Sequence, residues 1–321
     1  MAGEGVMELS EARGRLVVIG GAEDLTGECI VLKEFLRLAK GARARICVLT
    51  IATDHPKESG AEYVAAFKRL GVDDVQVVDV SQREEAGDET RLAAIKRATG
   101  LYFTGGDQLH VTSLLGGTEM QKLIAHRYER GLVVAGTSAG AAMMSNSMIL
   151  GGRGDAPPKL EGAQIGPGMD LLVGAIIDTH FSARGRFGRL LTAVAHYPQD
   201  LGIGIDEDTA LVVDKTECEV VGSGSVTFID GGSMSYTNLP YAEEQKLLAL
   251  YGVTVHVLPA GHRFDLPNRK PLEPKRAAAQ QGAGRALSRR NENGRVAAPA
   301  GQPTNRTRRS APARTSKGRR K

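Results

Sequence analysis

From Arg15 onward, short aliphatic runs alternate with amphipathic stretches long enough to be helices, and this constrains the fold more than any other feature of the chain. Arg15 to Gly20 (RLVVIG), Arg45 to Ile51 (RICVLTI), Val75 to Val80 (VQVVDV) and Leu101 to Thr104 (LYFT) are the runs, and Gly, Asp or Thr bounds each of them. Between them, Gly27 to Lys40, Lys57 to Leu70 and Glu89 to Ala98 space apolar residues by three and four against charged opposite faces, the signature of an amphipathic helix. A run that is apolar throughout fits a parallel strand buried on both faces, and strand–helix alternation builds βαβ units. Leu132 to Gly136 (LVVAG) is a further strand, followed by a helix-competent run through Met144. The predicted class is therefore α/β: a mostly parallel sheet with helices on both faces. Past Gly151 the pattern is mixed, and Ala175 to Asp178, Gly202 to Asp206, Ala210 to Asp214, Ser225 to Ile229 and Thr254 to Val257 read as strands of a partly antiparallel C-terminal extension.

With 321 residues, 41% of them apolar, one core is expected, and the absence of Trp makes its packing aliphatic. Cys29, Cys47 and Cys218 are too far apart for a zinc site, so buried thiols are expected. Residues 1–14 form an extension without a basic start or an apolar core, which argues against a secretory signal, and no run reaches the length of a membrane span. A cytoplasmic protein without membrane contact is the expectation.

The formal charge of +4 is unevenly distributed: Arg269 to Lys321 holds 16 Lys and Arg against Glu273 and Glu292, a net +14, which leaves −10 on the rest. Beyond Leu266 the chain loses apolar periodicity and becomes rich in Ala, Gly, Arg, Pro and Ser, too polar to offset the entropy of ordering. The domain is placed at 15–266 and a disordered basic tail at 267–321. Such a tail would touch anionic surfaces and raises a nucleic-acid-binding reading, although it lacks aromatics for base stacking.

In open α/β sheets, ligands gather beyond the carboxyl ends of the strands, so the loops after each run are where chemistry is expected. Leu132 to Ala142 (LVVAGTSAGAA) is a buried strand, Gly-Thr-Ser-Ala-Gly, then a helix former. That is the pattern of a nucleophile elbow presenting Ser138, with the Ala139 N–H and the following helix end facing an oxyanion; a tight βα turn is the plainer reading. A serine hydroxyl needs a base. His180 directly follows a strand, unlike His110, His126 and His196 in helical stretches, and it is the candidate. Gly204 to Ala210 (GIDEDTA) offers Asp206, Glu207 and Asp208 as the acid that orients the imidazole, and alternation alone does not choose among them. Phe103 to Gln108 (FTGGDQ) can supply a second oxyanion N–H from Gly105 or Gly106, with Gln108 on the substrate backbone; otherwise it is a turn capped by Asp107. Arg184, Arg186 and Arg189 follow the candidate base closely, and their planar forks suit acidic groups of a substrate.

Taken together, IGGAED (Ile19 to Asp24), FTGGDQ, GTSAGA (Gly136 to Ala141), DTHF with its three arginines, and GIGIDEDTA (Gly202 to Ala210) give the chain, over about Gly14 to Asp265, a resemblance to the cyanophycinases. These belong to a serine peptidase family that also contains aspartyl dipeptidase. The resemblance implies a flavodoxin-like fold similar to class I glutamine amidotransferases, a homodimer, and hydrolysis of cyanophycin, a polyaspartate with arginine-capped side chains, to β-Asp-Arg dipeptides without a metal or organic cofactor. It implies Ser138 as nucleophile, His180 as base and Glu207 as acid, with Gln108, Asp178, Arg184, Arg186 and Arg189 in the substrate pocket. Thr179 departs from the family pattern, in which Gln often precedes the histidine, so one pocket contact differs. The alternative on the same fold is an aspartyl dipeptidase.

Overall fold

The computed structural model describes residues 14–152, 154, 156–243 and 246–273. All lie in one compact unit, Met1–Lys275; the second unit, Arg276–Lys321, and with it most of the expected tail, falls outside the described residues. The aliphatic runs form β1 (Arg15–Ile19), β2 (Arg45–Leu49), β3 (Asp74–Val78), β4 (Gly100–Phe103) and β5 (Val133–Thr137). Between them lie α1 (Ile30–Leu38), α2 (Pro56–Arg69), α3 (Glu89–Arg97), α4 (Gln108–Leu115) and α5 (Glu119–Glu129). The five strands pair in parallel in the order β3-β2-β4-β5-β1.

Alternate residues of each strand face different cores. Val17, Ile19, Ile46, Val48, Tyr102 and Ala135 pack with Leu32, Phe35 and Phe67 of α1 and α2. Leu16, Val18, Leu49, Leu101, Phe103 and Val134 pack with Leu92, Ile95, Val111 and Ile124 of α3, α4 and α5. The chain steps outward from β1 to β3 and then returns through β4 to β5, and a constant right-handed crossover puts the two sets of helices on opposite faces.

After β5 a single turn, α6 (Ala139–Ala142), leads to the hairpin β6 (Ser147–Gly151) and β7 (Gln164–Pro167). Next come β8 (Ala175–Asp178), α7 (Phe187–His196), β9 (Leu201–Ile205), β10 (Thr209–Asp214), β11 (Glu217–Gly222) and β12 (Ser225–Asp230). The remaining strands are β13 (Tyr236–Thr237), β14 (Leu250–Tyr251), β15 (Thr254–Pro259), β16 (Arg263–Asp265) and β17 (Lys270–Leu272). β10 pairs antiparallel with β1, and β11, β16 and β17 continue outward, which makes nine strands. A separate four-stranded sheet, β15-β12-β9-β8, covers one face, and Phe228 of β12 stacks on Phe264 of β16 at 4.0 Å between centroids, joining the sheets. The parallel half and the antiparallel C-terminal extension both match the sequence expectation.

The expected domain end at 266 requires correction, because the fold continues to β17. Asp265 accepts from the Asn268 N–H to close the turn, and Arg269 bonds Asp230 at 2.5 Å, so a polar hairpin is held by specific contacts that apolar periodicity does not register. Among the described residues no helix is long and apolar enough to cross a membrane. All three cysteines are buried and free, and burial pushes the Cys47 thiol up to about 12.

Candidate active site

At the carboxyl edge of the parallel strands, β5 turns sharply at Ser138, whose φ of 52° and ψ of −111° lie in a region side chains rarely occupy. Its small neighbours make the turn possible: a Cβ on Gly140 would stand 2.5 Å from the Phe103 carbonyl oxygen. The half-buried Ser138 hydroxyl therefore projects above the sheet, as a nucleophile elbow requires. Ala139 opens α6, so its N–H is one of the helix's unpaired N-terminal donors. Because α6 is a single turn, that local N–H matters more than any helix dipole.

His180 follows β8 and is buried, with φ of 49°. Its Nε2 lies 2.9 Å from Ser138 Oγ and its Nδ1 2.6 Å from Glu207 Oε1. Of the three acids after β9, only Glu207 reaches the imidazole. Asp206 accepts from the Ser182 N–H and the Ser225 hydroxyl; burial opposes its ionisation, and these hydrogen bonds outweigh burial and lower its pKa. Asp208 accepts from the Asp24 N–H. The three loops share one backbone clasp. Ser138 N–H donates to the Ile19 carbonyl at 3.1 Å, His180 N–H to Gly20 at 2.7 Å, and Asp208 N–H to Gly21 at 2.9 Å. The sequence marks the loop after the Arg15 to Gly20 run as a place where chemistry is expected, but not this clasp, since its contacts run through carbonyls that any residue carries.

The glycine loop after β4 abuts the serine: a Cβ on Gly105 would stand 3.4 Å from Ser138 Cβ. Gly106 (φ 141°) turns the chain, and Asp107 caps α4 by accepting from the Leu109 N–H. Gln108 donates to the Ile149 carbonyl at 2.5 Å, tying α4 to β6. Asp178 is 1% exposed and takes both a bidentate Arg189 fork and an Arg186 N–H, so two of the three expected arginines are engaged inside the protein. Burial draws the Arg186 guanidinium below its ordinary pKa while Asp178 opposes it. Thr179 is buried, and its carbonyl accepts from Arg186 at 2.6 Å. Arg184 alone of the three is exposed.

The model of peptidase family S51 matches residues 16–221, which include every loop just described. The chain belongs to peptidase family S51. This S51 peptidase is 38% identical over 262 residues to a cyanophycinase of Geminocystis herdmanii, covering 81% of this chain and 96% of that one. It is 36% identical to a cyanophycinase of Trichormus variabilis (80% and 87% covered) and 34% identical to one of Synechococcus elongatus (79% and 80%). A solved peptidase from an acI-B1 Actinobacterium shares the fold, with a TM-score of 0.57 at 21% identity over 80% of this chain and 98% of that one. As an S51 member the protein is a serine peptidase with a flavodoxin-like α/β fold.

Proposed function

We propose that this S51 peptidase is a serine exopeptidase that degrades cyanophycin to β-Asp-Arg dipeptides through Ser138, His180 and Glu207. The observation that carries the reading is the unbroken relay from Glu207 Oε1 to His180 Nδ1 (2.6 Å) and from His180 Nε2 to Ser138 Oγ (2.9 Å). The cyanophycinase relatives, at 34–38% identity, support the substrate.

In this mechanism Ser138 Oγ attacks a backbone amide carbonyl of the polyaspartate while His180 Nε2 takes its proton. Glu207 accepts from Nδ1–H and holds the tautomer that leaves Nε2 free as base. N–H groups of Ala139 and of Gly105 or Gly106 bind the oxyanion. Collapse expels the amine, protonated by His180, and leaves an ester on Ser138. Water, deprotonated by His180, then hydrolyses that ester and restores the serine. No metal or organic cofactor enters the reaction. Arg184 receives an acidic group of the substrate from its exposed position one turn past His180. Asp178, Arg186 and Arg189 form the braced pocket wall, bordered by Gln108 and Thr179.

Incubating the full chain with insoluble cyanophycin and following soluble products by mass spectrometry tests the reading. Release of β-Asp-Arg by the parent and not by Ser138→Ala is expected. Hydrolysis of Asp-initiated dipeptides with cyanophycin untouched would replace it with an aspartyl dipeptidase. The proposal extends to a cytoplasmic homodimer whose basic extension beyond Leu272 touches anionic surfaces. Light scattering should give twice the chain mass, and removal of residues 276–321 should abolish retention on a polyanion resin while leaving hydrolysis of soluble substrate unchanged.

A further inference from the structure

Beneath the serine lies a buried carboxylate that the mechanism above does not use. Glu23 is 7% exposed and accepts three hydroxyl hydrogen bonds, each 2.5 Å long: Tyr63 and Tyr102 on Oε1, and Thr137 on Oε2. Burial and the adjacent Glu23 push both phenols well above their ordinary pKa, so both remain O–H donors. A carboxylate, which only accepts, takes all three hydroxyl donors; an amide in its place keeps one accepting oxygen and must donate to the remaining hydroxyl, reversing that bond and turning its proton elsewhere. The donors come from α2, β4 and β5, so this one group ties together the layers under the site.

Two connections lead from it to the reacting atoms. Thr137 is bonded directly to Ser138 and is the last residue of β5 before the strained turn. Glu23 also closes the segment whose carbonyls hold Ser138, His180 and Asp208. That segment contains two consecutive left-handed residues, Gly21 (φ 99°) and Ala22 (φ 48°). Conformations of this kind persist where the surroundings fix them, and Glu23 is the nearest anchored side chain.

We propose that Glu23 is a positioning residue for this peptidase, holding the nucleophile turn through Thr137 and the triad clasp through its own loop. The inference rests on the reading of Ser138 as nucleophile. Its test is the rate at which a fluorophosphonate modifies Ser138, together with kcat and KM on solubilised cyanophycin, in the full chain. Glu23→Gln should slow both phosphonylation and kcat by about 10- to 100-fold with KM within about twofold, the scale expected when a reacting atom shifts by up to ~1 Å. Thr137→Val leaves the carboxylate in place and carries the test independently of how well Glu23→Gln folds. It should reproduce most of the loss, and Thr137→Ser, which keeps the hydroxyl, should restore activity. Tyr63→Phe removes one of the two Oε1 donors; it should lower Tm while keeping kcat within about threefold, because the Thr137 link on Oε2 is untouched. Parent-like phosphonylation and kcat in both Glu23→Gln and Thr137→Val would overturn the inference, as would equal losses in Thr137→Val and Thr137→Ser, or a loss confined to KM. If the parent itself is not labelled at Ser138, the nucleophile assignment fails and the inference falls with it. Native labelling unchanged across the variants overturns the inference alone.

Discussion

Adding a single methyl group at Gly21 tests whether the clasp sets the position of the base. A Cβ there would lie 3.0 Å from His180 Nδ1 and closer still to Cε1 and Nε2. Ordinary carbon contacts begin near ~3.5 Å, so the ring must retreat by about 1 Å. That movement breaks a relay whose two links are 2.6 and 2.9 Å. Displacement on this scale costs about 100-fold in rate, or roughly 2.7 kcal/mol of transition-state stabilisation. Backbone strain adds to this, since φ of 99° disfavours any Cβ, at ~1–3 kcal/mol of stability. In a domain of this size that lowers Tm by roughly 2–10 °C. Gly131 separates the two effects: it has φ of 97°, but a Cβ there would meet nothing within 4 Å. Thermal denaturation and hydrolysis rates should therefore show a Tm loss in both Gly21→Ala and Gly131→Ala, at least as large in the former, with a kcat/KM loss of about 100-fold or more only in Gly21→Ala. A folded Gly21→Ala enzyme with kcat/KM within threefold of the parent would refute the reasoning.

Glu207→Gln should reduce kcat by about 10³- to 10⁴-fold with little change in Tm, because the amide presents an N–H that competes with the required tautomer; steady-state kinetics measures it. Asp178→Ala strands the buried Arg189 guanidinium and should cost ~3–5 kcal/mol in urea unfolding. Asp24 accepts from the backbone N–H groups of Cys29, Gly27 and Thr26, which hold its pKa down to about 2 against an ordinary 3.8. A depressed carboxylate stabilises the fold above its unfolded pKa and loses that contribution as pH falls through the native value. The Tm gap between the parent and Asp24→Ala should accordingly be full above pH 3.8 and close toward pH 2.

The parallel half of the sheet was legible because β1, β4 and β5 are buried on both faces and so read as continuous aliphatic runs. β11, β16 and β17 were not: β11 (Glu217–Gly222) mixes charged with apolar residues, β16 is three residues long, and the edge strand Lys270–Leu272 buries little and is placed by its partner. The sharp turn at Ser138 was legible because such an elbow demands small neighbours at fixed offsets. Which carboxylate meets the imidazole was not legible from alternation, which fails at Asp206 to Asp208, where the chain leaves β9 and Asp208 takes φ of 47°, so each side chain points its own way. Glu23 left no local trace, because its donors lie 40, 79 and 114 residues away. The arginines illustrate a different limit. Spacing marked a basic cluster beside His180, but whether a fork meets substrate or an internal carboxylate depends on Asp178, which burial aims at Arg186 and Arg189.

The central claim is that Ser138 is the nucleophile activated by His180. The most direct measurement is to treat the protein with a fluorophosphonate and map the adduct by peptide mass spectrometry. The account predicts one adduct per chain, on Ser138, formed in step with loss of peptidase activity and slowed by orders of magnitude in His180→Ala. Inactivation with the label on another residue, or full activity retained after Ser138 is modified, would contradict it.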